Sequence, residues 1–354
     1  MMLEMELLQI SLGVRNSLSH VPTDAEWMRM FKFAKEQAVV GVMFSGVERL
    51  PKECLPPKSL LLKWIGLVEC IRKQNFVVDG AVEKLLDSGF PDCHKVLLKG
   101  QSVSRYYPQP ELRQSGDIDI WCVRRGMTMK DSRRVMACEA LALVPDAGIQ
   151  PHHTDWLEVD GVHVELHFTP TTVYNLIDNV AVQTYFERNL QRCVGHRLPV
   201  DVDFVFQLMH IRRHLISEGV GLRQVVDLYM TLKALARDSE ALRHIDKRLL
   251  KSLGVKSFAE AMMWVLSQID SSVSAEIVGV RADERRGRFV LDEVLDCGNF
   301  GWYRSNKIAT GKSRLSHLSY FVRLAWRCVR YFPSESLWNP VFRIYISFWR
   351  RQFK

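Results

Sequence analysis

The sequence predicts an α+β fold in which one small mixed sheet lies between two helical regions. Three observations predict it. Apolar residues recur at helical spacing through the first ninety residues and again beyond residue 170, whereas between 94 and 168 they follow strand spacing. Asp160-Gly161 separates two short runs of alternating character, the signature of a two-residue hairpin turn. Pro91 and Pro170 punctuate the changes of period. The boundaries that follow are a helical domain over 1–90, a sheet-bearing core over 91–170, a second helical domain over 171–300 and a tail over 301–354.

Each element has a local cause. Thr23-Asp24-Ala25-Glu26 has capping-box spacing, and Trp27, Met30, Phe31, Ala34 and Ala38 then keep a helical period. A second helix begins after Pro56-Pro57 and runs through Leu61, Trp64, Ile65, Val68 and Ile71 towards Leu86. His94 to Lys99 reads as a strand followed at once by Gly100, and Gly116 to Val123 as a second strand. Thr128 to Leu143 reads as a helix, and Thr154–Val159 with Val162–Phe168 as the hairpin. Its turn predicts that Val159 pairs with Val162, Glu158 with His163, Leu157 with Val164 and Trp156 with Glu165. Helices are expected over Phe204–Ser217 and Leu222–Ala236, broken at Glu218-Gly219-Val220-Gly221, and again over 257–269 and 287–296.

Composition excludes several classes. With 354 residues, 47% hydrophobic and 25% charged, the chain is neither disordered nor collagen-like and is long enough to bury a sizeable core. No run approaches the roughly 18 apolar residues of a spanning helix, and Met1–Leu12, with Glu4 and Glu6, does not read as a signal peptide. Eight cysteines without a Cys-x-x-Cys pair argue against a zinc site or disulfide framework, and for a cytoplasmic location. The net charge of +8 is unevenly placed: residues 301–354 hold 11 Lys/Arg and one acid, Glu335, so the remaining chain is slightly acidic.

The chemistry centres on acids. Asp117 and Asp119, two apart on a strand, project from one face while Ile118 and Ile120 enter the core. Two carboxylates so close repel, and a divalent cation offsets their charge. The hairpin register puts Leu157, Val159, Val162, Val164, Leu166 and Phe168 on a core face, with Glu165 between His163 and His167 on the other. A third carboxylate in the same sheet completes a set able to hold two magnesium (or manganese) ions, which stabilise the attacking and leaving oxygens of a phosphoryl displacement. Lys99-Gly100-Gln101-Ser102, at a strand-to-helix junction, offers a triphosphate a point charge, close backbone approach and helix-start amides. A second Asp-x-Asp, Asp201-Val202-Asp203, follows Pro199 and opens a helix, which suits N-capping instead.

Leu98-Lys99-Gly100, the Tyr107-Pro108…Leu112-Arg113…Gly116-Asp117-Ile118-Asp119 block and Val164-Glu165-Leu166-His167 together resemble the polymerase-beta-like nucleotidyltransferase superfamily, most closely its bacterial group of poorly characterised nucleotidyltransferase-like proteins. The resemblance implies a nucleotidyltransferase-type sheet and transfer of a nucleoside monophosphate from an NTP to an acceptor, with release of pyrophosphate. It implies Asp117 and Asp119 as ligands of both metals and Glu165 as the third ligand, lowering the pKa of the acceptor hydroxyl. It places the triphosphate on Lys99, Gly100, Gln101, Ser102 and Gly116, with Arg113 as either a phosphate clamp or a surface arginine. Gln101 stands where the family carries Gly or Ser, and Glu165 where Asp is commoner. His167, Arg223 and Asp227 are weaker substrate contacts by this resemblance, and the i,i+4 spacing of Arg223 and Asp227 favours an ordinary helix ion pair. His210 and His214 share a helix face but lack a third ligand in sequence, which favours packing or hydrogen bonding.

The tail holds 13 of the 35 aromatic residues. Ser313–Tyr331 forms a basic amphipathic pattern, with Leu315, Leu318, Val322, Ala325 and Val329 on one side and Arg323, Arg327 and Arg330 on another. A second segment carries Val341, Ile344, Tyr345 and Phe348 and ends in Trp349-Arg350-Arg351. Such segments suit the inner membrane surface, an RNA backbone or the protein's own core. Two rival functions follow: a toxin-like enzyme that adds nucleotides to tRNA or protein, and a catalytically silent scaffold recruited through the tail.

Overall fold

The computed structural model describes residues 2–143, 148–301, 322 and 325–351. In chain order come α1 (Leu3–Ser11), α2 (Asp24–Glu36), α3 (Val40–Val47) and α4 (Lys58–Asp87); β1 (Cys93–Leu98), α5 (Lys99–Ser104), β2 (Ile118–Arg124), α6 (Met129–Leu143), β3 (His153–Val159) and β4 (Val162–His167). Then follow α7 (Leu176–Asn189), α8 (Val200–Ser217), α9 (Leu222–Leu235), α10 (Ser239–Leu242), α11 (Lys247–Ser252), α12 (Lys256–Ile269), α13 (Glu284–Cys297) and α14 (Pro333–Arg350). The fold is α+β, as the sequence predicts.

The capping box at Thr23 forms, with the Thr23 hydroxyl accepting from Glu26 N and the Glu26 carboxylate accepting from Thr23 N. Trp27, Met30, Phe31 and Ala34 of α2 are buried, and Trp64 of α4 meets Trp27 and Phe31 edge-on while its indole donates to the Val40 carbonyl. Gly41 of α3 is required by a close approach: a Cβ there would lie 2.2 Å from the Leu112 carbonyl oxygen, in the loop that leads to β2.

The four strands lie in the order β1-β2-β4-β3, with β2 and β4 parallel and the outer pairs antiparallel. Alternation splits the sheet cleanly. Leu97, Ile118, Ile120, Val164 and Leu166 pack with the end of α4 and with α6. Val96, Leu98, Trp121 and Val123 face the main cluster, which contains residues from Leu3 to Phe342 and joins the helices before the sheet to those after it. Buried Gln37 shows the same continuity, donating to the Val294 carbonyl and accepting from Leu222 N.

Two expectations change. The hairpin closes with Val159↔Val162 and Glu158↔His163, but a register shift between Asp155 and Glu158 brings Asp155, not Trp156, opposite Glu165. An extra residue in one strand cannot be inferred from the turn that sets the register beyond it. Asp201 and Asp203 lie inside α8, which starts at Val200 without a side-chain cap. Asp201 instead receives both Nη atoms of Arg192, and Asp203 sits fully buried 3.7 Å from Arg105.

Most of the expected Ser313–Tyr331 helix lies outside the described residues; within it, Ala325 and Cys328 enter the main core and Arg327 pairs with Glu293. The second tail segment, α14, docks on the body, with Tyr345 half-buried against it. Phe342 and Trp349 are buried, whereas Val341, Ile344 and Phe348 are exposed. The reason is Glu335, which fixes the rotation of α14: its carboxylate accepts from Tyr174 N at 2.8 Å and pairs with Arg212 at 3.2 Å, both side chains being buried. Among the described residues, no helix is long and apolar enough to cross a membrane.

Glu335→Ala strands a buried guanidinium and is expected to cost about 3–5 kcal/mol. Ile344→Ser, on the outer side of α14, is expected to stay within about 0.5 kcal/mol. Urea unfolding of both variants checks this, and equal effects would contradict the docking.

Candidate active site

Strand register brings the acids together. Asp119 on β2 pairs laterally with Leu98 on β1 and Glu165 on β4, so the two carboxylates leave the same face at neighbouring positions. Asp117 immediately precedes β2 rather than lying on the strand as expected, because the ladders with β4 and β1 begin only at Ile118 and Asp119. Ligand oxygens of Asp117, Asp119 and Glu165 all lie within 4.8 Å of one another. Asp119 is 3% exposed, which makes its environment decisive.

Cationic and imidazole groups surround this buried charge. The Lys99 ammonium binds Asp119 directly and lies 3.7 Å from Glu165. Lys99 reaches that position because it takes a left-handed backbone conformation, φ 46°, at the turn from β1 into α5, a local strain held by the packed elements on either side. His167 Nε2 bridges Asp119 and Glu165 at 2.8 and 3.2 Å. Burial pushes the Asp119 carboxyl up to about 6, with Asp117 and Glu165 reinforcing the rise and Lys99 and His167 opposing it. Burial acts on Glu165 in the same direction, but the His167 bond and Lys99 outweigh it and hold Glu165 well below the ordinary range. For His167, burial opposes charge, yet its two carboxylate bonds raise its pKa.

The loop before β2 is clamped from two sides. Arg113 donates from Nε and Nη2 to the two oxygens of Asp227 on α9, at 2.7 and 2.8 Å, and the Tyr107 hydroxyl donates to the same carboxylate. Asn75 on α4 donates to the carbonyls of Glu111 and Arg113, and Ser115 donates to Asn75. Arg223 donates to the Gln114 carbonyl. Asp227 is thus a positioning residue for Arg113, which corrects the expected Arg223–Asp227 helix pair. Arg113 Nη1 has no hydrogen-bond partner among the described residues and lies 3.6 Å from where a Gly100 Cβ would stand.

A cavity of about 730 Å³ opens over these groups. Of the residues expected to meet nucleotide, Lys99, Gly100, Arg113, Gly116, Asp117, Asp119, Glu165, Arg223 and Asp227 line it. Gln101 and Ser102 do not: both are buried behind the cavity wall, and the Gln101 carbonyl accepts from Arg197. His167 does not line it either: it is buried, bonded to the carboxylates of Asp119 and Glu165. His210 and His214 hold the predicted packing roles, His210 stacked on Phe206 and His214 bonded to Glu218 at 3.0 Å, and both border the cavity.

Sequence reasoning missed the histidine and arginine end of the cavity. His152 and His153 hydrogen-bond to each other beside His167, and Arg213 donates to His152. Burial holds His152 well below its ordinary pKa and takes His153 down to about 2. The signals were the His152-His153 doublet opening β3 and the Arg212-Arg213 doublet of α8, whose members part company: Arg212 turns to Glu335 and Arg213 to the cavity.

The donor chemistry fits a hard divalent cation. Three clustered carboxylates supply oxygen ligands of the kind magnesium and manganese prefer. A second group, His153, Glu165 and His167, shares Glu165 and brings nitrogen donors within the same 4.8 Å limit. The ammonium of Lys99 already compensates the charge that such a cation would take over.

A family model described as an uncharacterised nucleotidyltransferase matches residues 23–269, which is more than half of the chain. No curated protein and no solved structure matches it.

Asp227→Ala leaves Arg113 buried without its carboxylate and is expected to cost about 3–5 kcal/mol, read by chemical denaturation; an effect under about 1 kcal/mol would contradict the clamp. Metal binding must displace the proton of Asp119. Manganese affinity should therefore be full above pH 7 and fall about tenfold per unit below pH 6, with proton release on binding. Calorimetry in buffers of different ionisation enthalpy checks this, and affinity that is flat from pH 5 to 8 would contradict it.

Proposed function

Because the chain belongs to the uncharacterised nucleotidyltransferase family, we propose that it transfers a nucleoside monophosphate from an NTP to an acceptor hydroxyl or phosphate, with magnesium or manganese as cofactor. The observation that carries the reading is the convergence of Asp117, Asp119 and Glu165 beside Lys99 at the β1–α5 junction. Family membership supports the coarser statement, a transferase of nucleotide groups.

In this reading Asp117, just before β2, and Asp119, on it, would hold the metal pair, and Glu165 on β4 would hold one ion. The bound cations supply charge neutralisation of the triphosphate and activation of the acceptor oxygen. Lys99 exchanges Asp119 for the phosphates, a move that keeps its ammonium compensated throughout. The orphaned Nη1 of Arg113 and the open floor at Gly100 support phosphate at this end of the cavity. His167 fixes the orientation of Asp119 and Glu165 from behind. The acceptor oxygen bonds to the α-phosphorus, the bond from that phosphorus to the bridging oxygen breaks, pyrophosphate leaves, and the acceptor's proton passes to solvent.

Thermal denaturation with each of the four NTPs tests the reading. With magnesium, at least one NTP at about 100 Kd should stabilise the protein by about 2.7 kcal/mol. The effect should vanish without the metal and in Asp119→Asn. A silent scaffold predicts no metal-dependent stabilisation, and that result would contradict the proposal.

A further inference from the structure

The cavity has a second anion-binding end, and its position follows from the order of the strands. Lys99, Gly100 and Arg113 gather where β1 passes into α5, at one side of the sheet. Asp119 and Glu165 occupy the two middle strands, and His153 stands on β3, the opposite edge. Above this sheet, α8 crosses from one end to the other. Its Asp203 faces Arg105, just after α5, while Arg213 contacts His152, just before β3. Ten residues of helix separate these positions by about 15 Å.

The Arg213 guanidinium is bonded to the His152 ring rather than to a carboxylate. Arg343 joins it from α14, where its Nε donates to Asn339, and borders the same cavity beside Phe342 and Ile346. Glu218 borders the same end: it accepts from His214, its carboxylate is held low partly by Arg213, and it acts on Arg343, so two guanidiniums stand here against one carboxylate. Two guanidiniums from separate helices thus face a space also lined by the imidazoles of His152 and His153, which offer hydrogen bonds to hydroxyl groups.

An in-line displacement requires the attacking oxygen to approach opposite the departing pyrophosphate. If pyrophosphate leaves at the β1–α5 end, the acceptor enters from the β3 edge. We propose that Arg213 and Arg343 form an acceptor subsite for the phosphate of a small hydroxylated phosphomonoester. This rests on the nucleotidyl-transfer reading of the carboxylates. Half of the subsite comes from α14, which lies outside residues 23–269, so acceptor choice is set partly by a segment beyond the portion that the family model matches.

The test uses the full chain and glycerol 3-phosphate, titrated calorimetrically with and without saturating magnesium and a non-hydrolysable NTP analogue. Binding should persist when the analogue is bound. It should weaken at least tenfold in Arg213→Gln and in Arg343→Gln, while both variants keep magnesium-dependent stabilisation by NTP. A parallel arm uses phosphatidic acid vesicles against phosphatidylcholine vesicles; binding there alone, lost in Arg343→Gln, assigns the same phosphate to a lipid-borne acceptor. No binding in either arm, displacement by the analogue, or indifference to both substitutions overturns the subsite. NTP stabilisation that survives those results leaves the nucleotidyl-transfer reading standing, whereas its absence removes that reading first.

Discussion

The buried negative charge of Asp119 is the constraint around which the sheet and its surroundings are arranged. A carboxylate that is 3% exposed, with two further acids within ligand distance, is unfavourable unless positive charge faces it. The fold supplies that charge without metal: Lys99 from a left-handed turn, and His167 from the strand beside it. Both compensations are asymmetric, leaving Asp119 with a raised pKa and Glu165 with a depressed one. In the proposed function a divalent cation would enter by exchange rather than by adding a new charge, and the ammonium would turn to a phosphate in its place.

Holding the acids requires more than the sheet. Asp117 lies outside β2, at the end of a loop that has no strand of its own to fix it. The Arg113–Asp227 pair, the Tyr107 hydroxyl and Asn75 tie that loop to α9 and α4, helices from opposite sides of the sheet in sequence. Gly41 lets α3 approach the same loop at Leu112. The geometry of the acids is therefore linked to the main apolar cluster, which joins these helices. The result is a site whose polar groups are positioned by packing far from the cavity, as preorganised chemistry requires.

Much of this was legible in the sequence because its causes are local. The capping box at Thr23, the strand alternation around Asp119 and the Asp160-Gly161 turn each act over a few residues, and each appears in the structure. The convergence of Asp117, Asp119 and Glu165 was legible for the same reason, since pleat and register place same-face residues together. What escaped depends on long-range choices. The irregularity between Asp155 and Glu158 moves one partner of Glu165 without any turn signal. Asp201 and Asp203 read as caps because nothing nearby names Arg192 and Arg105 as their partners. Which side of α14 docks was not legible because its hydrophobic residues are distributed around the helix, and the buried Glu335–Arg212 pair decides it.

The proposed chemistry requires that the three carboxylates bind divalent cations. A crystal soaked with manganese, with diffraction measured at the manganese absorption edge, tests it most directly. Anomalous peaks are expected among Asp117, Asp119 and Glu165, with the Lys99 ammonium displaced from Asp119. A peak held instead by His153 and His167 without the aspartates, or Lys99 still seated on Asp119 at saturating manganese, would contradict it.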